Sequence, residues 1–136
     1  GATRLRLVDQ ESAKADLLAS VLRQTFPALE LEVGDDGERL APGAAGIVNC
    51  SPVGMAGHEG TPIPPAALAG AKWAFDAVYT PPVTRFLSDA RALGVLAIPG
   101  TELFFHQGIA AWTIFSGRAA DIPALRAAFF DVSTVR

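Results

Sequence analysis

The chain reads as an α/β protein built on a mostly parallel sheet, and three observations predict this. Short apolar runs alternate with stretches of helical periodicity, in the order strand-helix-strand, strand, strand-helix-strand-helix-helix. The run Ala45–Cys50 is continuously apolar rather than alternating, as in a strand covered on both faces. Three segments each carry a strand end through a Pro- or Gly-shaped loop into a helix: Val48–Met55, Asp76–Thr84 and Gly100–Gly108. In open α/β sheets, loops at the carboxyl ends of strands are where ligands bind.

Arg4–Asp9 alternates weakly and ends in an acid, a short strand. Ser12–Phe26 places Ala13, Leu17, Leu18, Val21 and Leu22 at helical spacing, with Glu11 or Ser12 to open it and Pro27 to close it. Leu29–Val33 is a second strand. Gly34–Gly37 is a turn cluster, and the polar segment to Pro42 is a loop. After the third strand, His58–Pro65 is a Gly- and Pro-rich surface loop, with one helical turn at Pro64–Leu68. Trp73–Tyr79 is a strand. Val83–Leu93 is a helix with Phe86, Leu87, Ala90 and Leu93 on one side, stopped by Gly94. Val95–Ile98 is the last strand and Thr101–Phe115 a long apolar helix ended by Gly117. Asp121 caps a final helix that runs to about Phe130.

Composition bounds the function. With 136 residues the chain is one domain, spanning 1–136, and half of it is hydrophobic, enough to bury a core. A net charge of −3 is the wrong sign for a nucleic-acid backbone binder. No apolar run is long enough to span a membrane, and Gly1–Leu7 lacks the plan of a secretory signal. The single cysteine permits no internal disulfide, so a reducing, cytoplasmic setting is expected.

Few residues carry chemistry. Asp9 closes a strand before a helix, where an acid in a dinucleotide-binding fold accepts hydrogen bonds from the adenosine ribose hydroxyls. Its charge repels a 2′-phosphate, and neighbouring Gln10 and Glu11 supply no cation to receive one, which favours NAD over NADP. Asp9 also suits a simple helix cap. No G-x-G-x-x-G precedes it, and Gly43–Gly46 leads into a strand instead of coming after one, so the pyrophosphate cradle is missing from the sequence.

Tyr79 ends a strand with its hydroxyl directed to the crevice, or is an amphipathic residue at the sheet rim. Gln107 interrupts an apolar helix: buried, it needs a partner such as a substrate hydroxyl; exposed, it is a surface residue. His58 and His106 lack companions at metal-ligand spacing. Cys50 reads as a packing residue, and Ser51, ahead of Pro52, has no base nearby.

Together the loops resemble the C-terminal part of the shikimate/quinate dehydrogenase family. Its N-x-T-P-x-G-M is matched by Asn49–Met55 with Ser51 for threonine, and its D-x-x-Y-x-P-x-x-T by Asp76–Thr84 intact. Its G-x-x-M-L-x-x-Q-G is matched by Gly100–Gly108, with Leu103-Phe104 in place of Met-Leu; Trp112–Gly117 is similar to the family's next aromatic run.

The resemblance implies a partial Rossmann-like doubly wound parallel sheet and hydride transfer between a nicotinamide and a ring carbon of shikimate or quinate. It places Ser51, Pro52, Val53, Ala77 and Gly100 beside the cofactor, with Asp9 and Gln10 at its ribose end. It places Tyr79 and Gln107 on the substrate. Asp9-Gln10-Glu11 stands where the NADP-dependent members have N-R-T, which again points to NAD. The family's proton-transferring lysine and aspartate belong to an N-terminal substrate domain, so no catalytic residue is expected here and the chain alone should be inactive. A non-catalytic remnant of the same fold is the alternative. Family sheets run 3-2-1-4-5-6, and strand 1 with its Gly-rich turn is lacking. The expectation is a gap filled by a complementing N-terminal chain or by self-association, or else edges paired differently.

Overall fold

Strand pairing divides the sheet in two. In a computed structural model of the chain, which describes residues 1–131, β1 (Arg4–Val8) pairs in parallel with β2 (Glu30–Gly34). Separately, β3 (Gly46–Asn49), β4 (Trp73–Asp76) and β5 (Leu96–Ile98) form a parallel group in that order. No strand pair joins β1 to β3 among the described residues. The α/β class and the partial parallel sheet are as the sequence predicts, and so is the gap.

The two groups are built differently. Beneath β3–β5 lies a true core, in which Leu68, Ala74, Phe86, Leu87, Ala90 and Val95 are buried together. Phe86, Leu87 and Ala90 come from α3 (Arg85–Ala92), which Thr84 caps by accepting from the Leu87 amide. Beside β1–β2, α1 (Ser12–Thr25) buries only Ala15 and Ala19. The expected apolar face was larger; Leu17, Leu18 and Val21 are exposed instead. Small side chains let α1 sit close to its strands, while the bulky ones stand on a flank that nothing covers. Val48 is likewise exposed, so β3 is not covered on both faces as its continuous apolar run suggests.

A short helix, in a segment whose polar composition predicts a loop, ties the groups together. In α2 (Gly37–Leu40) Asp36 accepts from the Arg39 amide, an N-cap hidden in the turn cluster. Arg6 of β1 donates through Nη1 to the carbonyls of Leu40 and Pro42, both at 2.8 Å. A Cβ on Gly37 would meet Ile63 at 2.8 Å and Val8 at 3.8 Å, so α2 is wedged between β1 and the main core.

At the other end α4 (Gly100–Ser116) stops at Gly117, whose φ of +66° suits glycine, and α5 (Ile122–Asp131) comes next. Asp121 caps α5 as expected, accepting from the Ala124 amide. Arg126 grips Glu102 with two hydrogen bonds of 2.9 and 2.7 Å while lying over the Phe105 ring. None of the described helices is long and apolar enough to cross a membrane.

The hydrogen bond from Arg126 holds the Glu102 carboxyl below the usual carboxylate range, against the opposing effect of burial. A depressed folded value means that the pair's contribution is full above the unfolded pKa of roughly 4.3 and is lost as pH falls through the folded one. The effect is small, because both side chains keep substantial exposure. Between pH 6 and about 3 the thermal midpoint of the wild-type chain should fall further than that of Arg126→Gln. Parallel curves would show that the clamp contributes nothing.

Candidate site at the strand ends

Asp76 and Asn49 occupy the last positions of neighbouring strands, directly opposite in register. Both are buried, Asp76 completely. A carboxylate in such a place must collect donors. Asp76 Oδ1 accepts from Asn49 Nδ2 at 2.9 Å and from the Val78 amide at 3.0 Å, and Oδ2 accepts from Thr84 Oγ1 at 2.6 Å. Asn49 passes the network on. Its Nδ2 also donates to the Val53 carbonyl at 3.0 Å, and its Oδ1 accepts from the Ser51 amide and hydroxyl at 3.0 and 2.6 Å. One buried cluster thus shapes the Ser51–Val53 loop and the segment from Ala77 to Thr84.

The third loop is fixed by close approach. A Cβ on Gly100 would lie 2.5 and 2.7 Å from the carbonyl oxygens of Val78 and Ala77, so α4 can begin there only with glycine. Farther along α4, Phe104 stacks on Tyr79 with ring centroids 5.0 Å apart. Positions 100, 104 and 107 fall on one helical face. Gln107 therefore shares the face of Phe104 that meets Tyr79.

The predicted residues of the three loops are accordingly brought together. Ser51, Val53 and Ala77 are half-buried, Gly100 is buried, and Pro52, Tyr79 and Gln107 are exposed around them. With Gln107 exposed, the buried-amide argument for it falls away, and its place rests on the shared helix face. Asp9 and Gln10 stand outside this cluster, at the end of β1. Asp9 Oδ1 accepts from the Glu11 amide at 2.8 Å, closing a turn. The residue at the cap of α1 is Glu11, so Asp9 is not the helix cap. Asp9 Oδ2 has no partner among the described residues. Lys14, a turn further on, is held by Glu11 at 2.6 Å.

Some side chains differ from expectation. Cys50 is exposed, not packed, because the strand ends at Asn49 and the loop turns it outward. His58 is a loop residue in solvent, and His106 lies 4.0 Å from Glu102 on the exposed side of α4. Sequence reasoning missed the roles of Asn49, Asp76 and Thr84. The available signal was two short polar side chains ending apolar strands, each at the threshold of a loop. Beyond Phe104, α4 and α5 enclose an apolar groove of about 530 Å³, lined by Ile109, Trp112, Leu125 and Phe129 among others.

Removing the acceptor should be costly. Asp76→Ala leaves the donors of Asn49, Val78 and Thr84 without their partner, and we expect a loss of about 3–5 kcal/mol in denaturant unfolding. Thr84→Val, which deletes one hydrogen bond and the α3 cap, should cost about 1–2 kcal/mol. Equal losses in the two variants would mean that the carboxylate does not organise the cluster.

No protein-family model matches the chain. Curated relatives do. The quinate/shikimate dehydrogenase (NAD(+)) of Corynebacterium efficiens is 34% identical over 135 residues, covering 97% of this chain and 47% of the relative. The shikimate dehydrogenase (NADP(+)) of an Arthrobacter species is 35% identical over 134 residues, covering 97% and 46%. Among solved structures, the quinate dehydrogenase of Corynebacterium glutamicum in complex with NAD superposes with a TM-score of 0.86 at 32% identity, over 96% of this chain and 47% of that one. The chain spans about half the length of the curated relatives it matches. Its kinship is with the shikimate/quinate dehydrogenases, NAD- and NADP-dependent oxidoreductases, through the C-terminal, Rossmann-like part of their length.

Proposed function

We propose that the chain is the nicotinamide-binding half of an NAD-dependent dehydrogenase acting on shikimate or quinate, with 3-dehydroshikimate or 3-dehydroquinate as the oxidised partner. The observation that supports this is that the Asn49–Asp76–Thr84 hydrogen bonds and the close approach of Gly100 to Ala77 and Val78 hold three strand-end loops side by side, with Tyr79 stacked on Phe104 of α4. The residues fit the two ends of a nicotinamide dinucleotide. At the ribose end, Asp9 keeps Oδ2 available to accept from two hydroxyls, and its charge disfavours a 2′-phosphate. At the nicotinamide end, Ser51, Pro52 and Val53 form one wall and the Ala77 backbone and Gly100 the other. The bound cofactor supplies a hydride acceptor or donor. Tyr79 offers a hydroxyl to a polyol, and Gln107 both donates and accepts, which suits a ring carrying several hydroxyls.

The general acid and base come from elsewhere in this reading. Lys14 is paired with Glu11, and Lys72 precedes β4, at the end of the strand opposite the crevice. The chain alone is therefore inactive and depends on a substrate-binding half, as a partner or within a longer polypeptide. A cytoplasmic setting goes with this reading. The alternative, a non-catalytic nucleotide-binding or interaction remnant, draws on the same absence of a lysine at the crevice.

A chimera separates the two readings. Joined behind the other half of the Corynebacterium efficiens enzyme, the chain should reduce NAD with quinate or shikimate, seen as nicotinamide absorbance, while alone it should not. A folded chimera that binds NAD without turnover supports the remnant. Within an active chimera, Asp9→Ala should erode the preference for NAD over NADP by roughly tenfold or more. An unchanged ratio removes Asp9 from the site. Gln107→Ala should raise KM or lower kcat about tenfold with NAD affinity kept, since only the substrate loses a contact.

A further inference from the structure

The Asp76 cluster does not by itself set the Tyr79 side chain. It fixes the backbone just ahead, through the Val78 amide, but not the ring. Tyr79 is 51% exposed, and its hydroxyl has no hydrogen-bond partner among the described residues. An exposed tyrosine on a fixed backbone still has several staggered rotamers open to it. A hydroxyl that is to meet a ligand in one orientation needs a further constraint.

That constraint is Phe104. The two rings stack with centroids 5.0 Å and planes 28° apart. Phe104 stands where the motif that Gly100–Gly108 resembles has leucine, so the aromatic face belongs to this chain and not to the motif. Phe104 is itself 46% exposed and stacks a second time, on Phe129 of α5, at 6.0 Å and again 28°. Tyr79 and Phe129 make no ring contact with each other among the described residues, so Phe104 lies between them. Near-parallel rings at such separations attract one another beyond the area they bury. A leucine at 104 would fill similar space without a flat face for a ring to lie on.

Phe129 is the anchored end of the stack. It also meets the buried Phe105 at 5.5 Å and Phe130 edge-on at 5.0 Å. Arg126, one helical turn before it, holds α5 to α4 through the two hydrogen bonds to Glu102. The stack thus runs from a clamped pair of helices to an exposed tyrosine.

We propose that Phe104 and Phe129 are positioning residues: the stack Tyr79–Phe104–Phe129 holds the Tyr79 hydroxyl in one orientation for a ligand at the strand ends. Both act through Tyr79. The use of that hydroxyl on a polyol ring rests on the dehydrogenase reading; the setting of the Tyr79 ring does not.

Tyr79 is the only tyrosine in the chain, so a tyrosine-selective label gives NMR signals from this ring alone. In the folded chain its ring protons should lie upfield of their position in urea, because the face of Phe104 shields them. Phe104→Leu should return them most of the way to the urea position, and Phe129→Leu part of the way. Phe115→Leu, the same change at an 88% exposed ring of the same helix, should leave them in place. Unchanged amide signals from β3–β5 show that a variant keeps the fold; should Phe104→Leu lose them, Phe129→Leu alone decides. In the active chimera, Phe104→Leu and Phe129→Leu should raise the KM for quinate or shikimate by about three- to tenfold, with the KM for NAD kept. Phe104→Tyr, which preserves the stack, should keep the wild-type value. Ring signals that ignore both leucine variants overturn the proposal, whatever the chimera does. Signals that move while the substrate KM stays fixed overturn it as well. Signals that move in a chain whose chimera never turns over leave the positioning of Tyr79 standing and take down the dehydrogenase reading instead.

Discussion

Asp76 is the point on which the site depends. Burying a carboxylate costs several kcal/mol unless donors surround it, and here an amide side chain, a backbone N–H and a hydroxyl are all directed at its two oxygens. Each donor belongs to a different stretch of chain, so satisfying one charge fixes three backbones. The path from the β3 end to the β4 end to the start of α3 results from that need. Thr84 is used twice, giving its proton to Asp76 and accepting from the Leu87 amide, which couples the cluster to the orientation of α3. The cluster is thereby anchored on strand and helix termini, not on free loops.

Much of this was legible in the sequence, for identifiable reasons. Helix ends were readable where chemistry marks them: Gly94 and Gly117 at the C-termini, Asp121 at an N-terminus. α2 was not, because four residues carry no periodicity and its Asp36 cap looks like turn composition. The buried face of α1 was misjudged because periodicity reports which side chains are apolar, not which have a neighbour. Leu17 and Val21 are apolar yet stand exposed on α1. Val48 is the same case in a strand. The motif residues of the three loops were found, but their grouping around Asp76 was not, since nothing in one dimension shows that Asn49 and Asp76 are opposite in register.

The two strand groups also differ in what holds them. β3–β5 rest on a core of fully buried side chains, whereas β1–β2 rest on two alanines of α1 and on the guanidinium of Arg6. Backbone hydrogen bonds, the usual carrier of sheet rigidity, do not cross between them among the described residues. The link is a side chain gripping two carbonyls of the α2 segment and an apolar contact through Gly37. By the logic of local stability, the β1–β2 group is the part with the lower cost of opening.

This difference bears on how the two ends of a dinucleotide would be read. Tyr79, Ala77 and Gly100 are set by the Asp76 cluster and by contact with α4, within one rigid group. Asp9 is set by β1, in the other. A ligand reaching from Asp9 to Gly100 must span both, and its affinity includes whatever it costs to hold the groups in register. Asp9 and Tyr79 are therefore held by separate means: Asp9 by the turn at the end of β1, and Tyr79 by the segment that the buried Asp76 cluster and Phe104 fix.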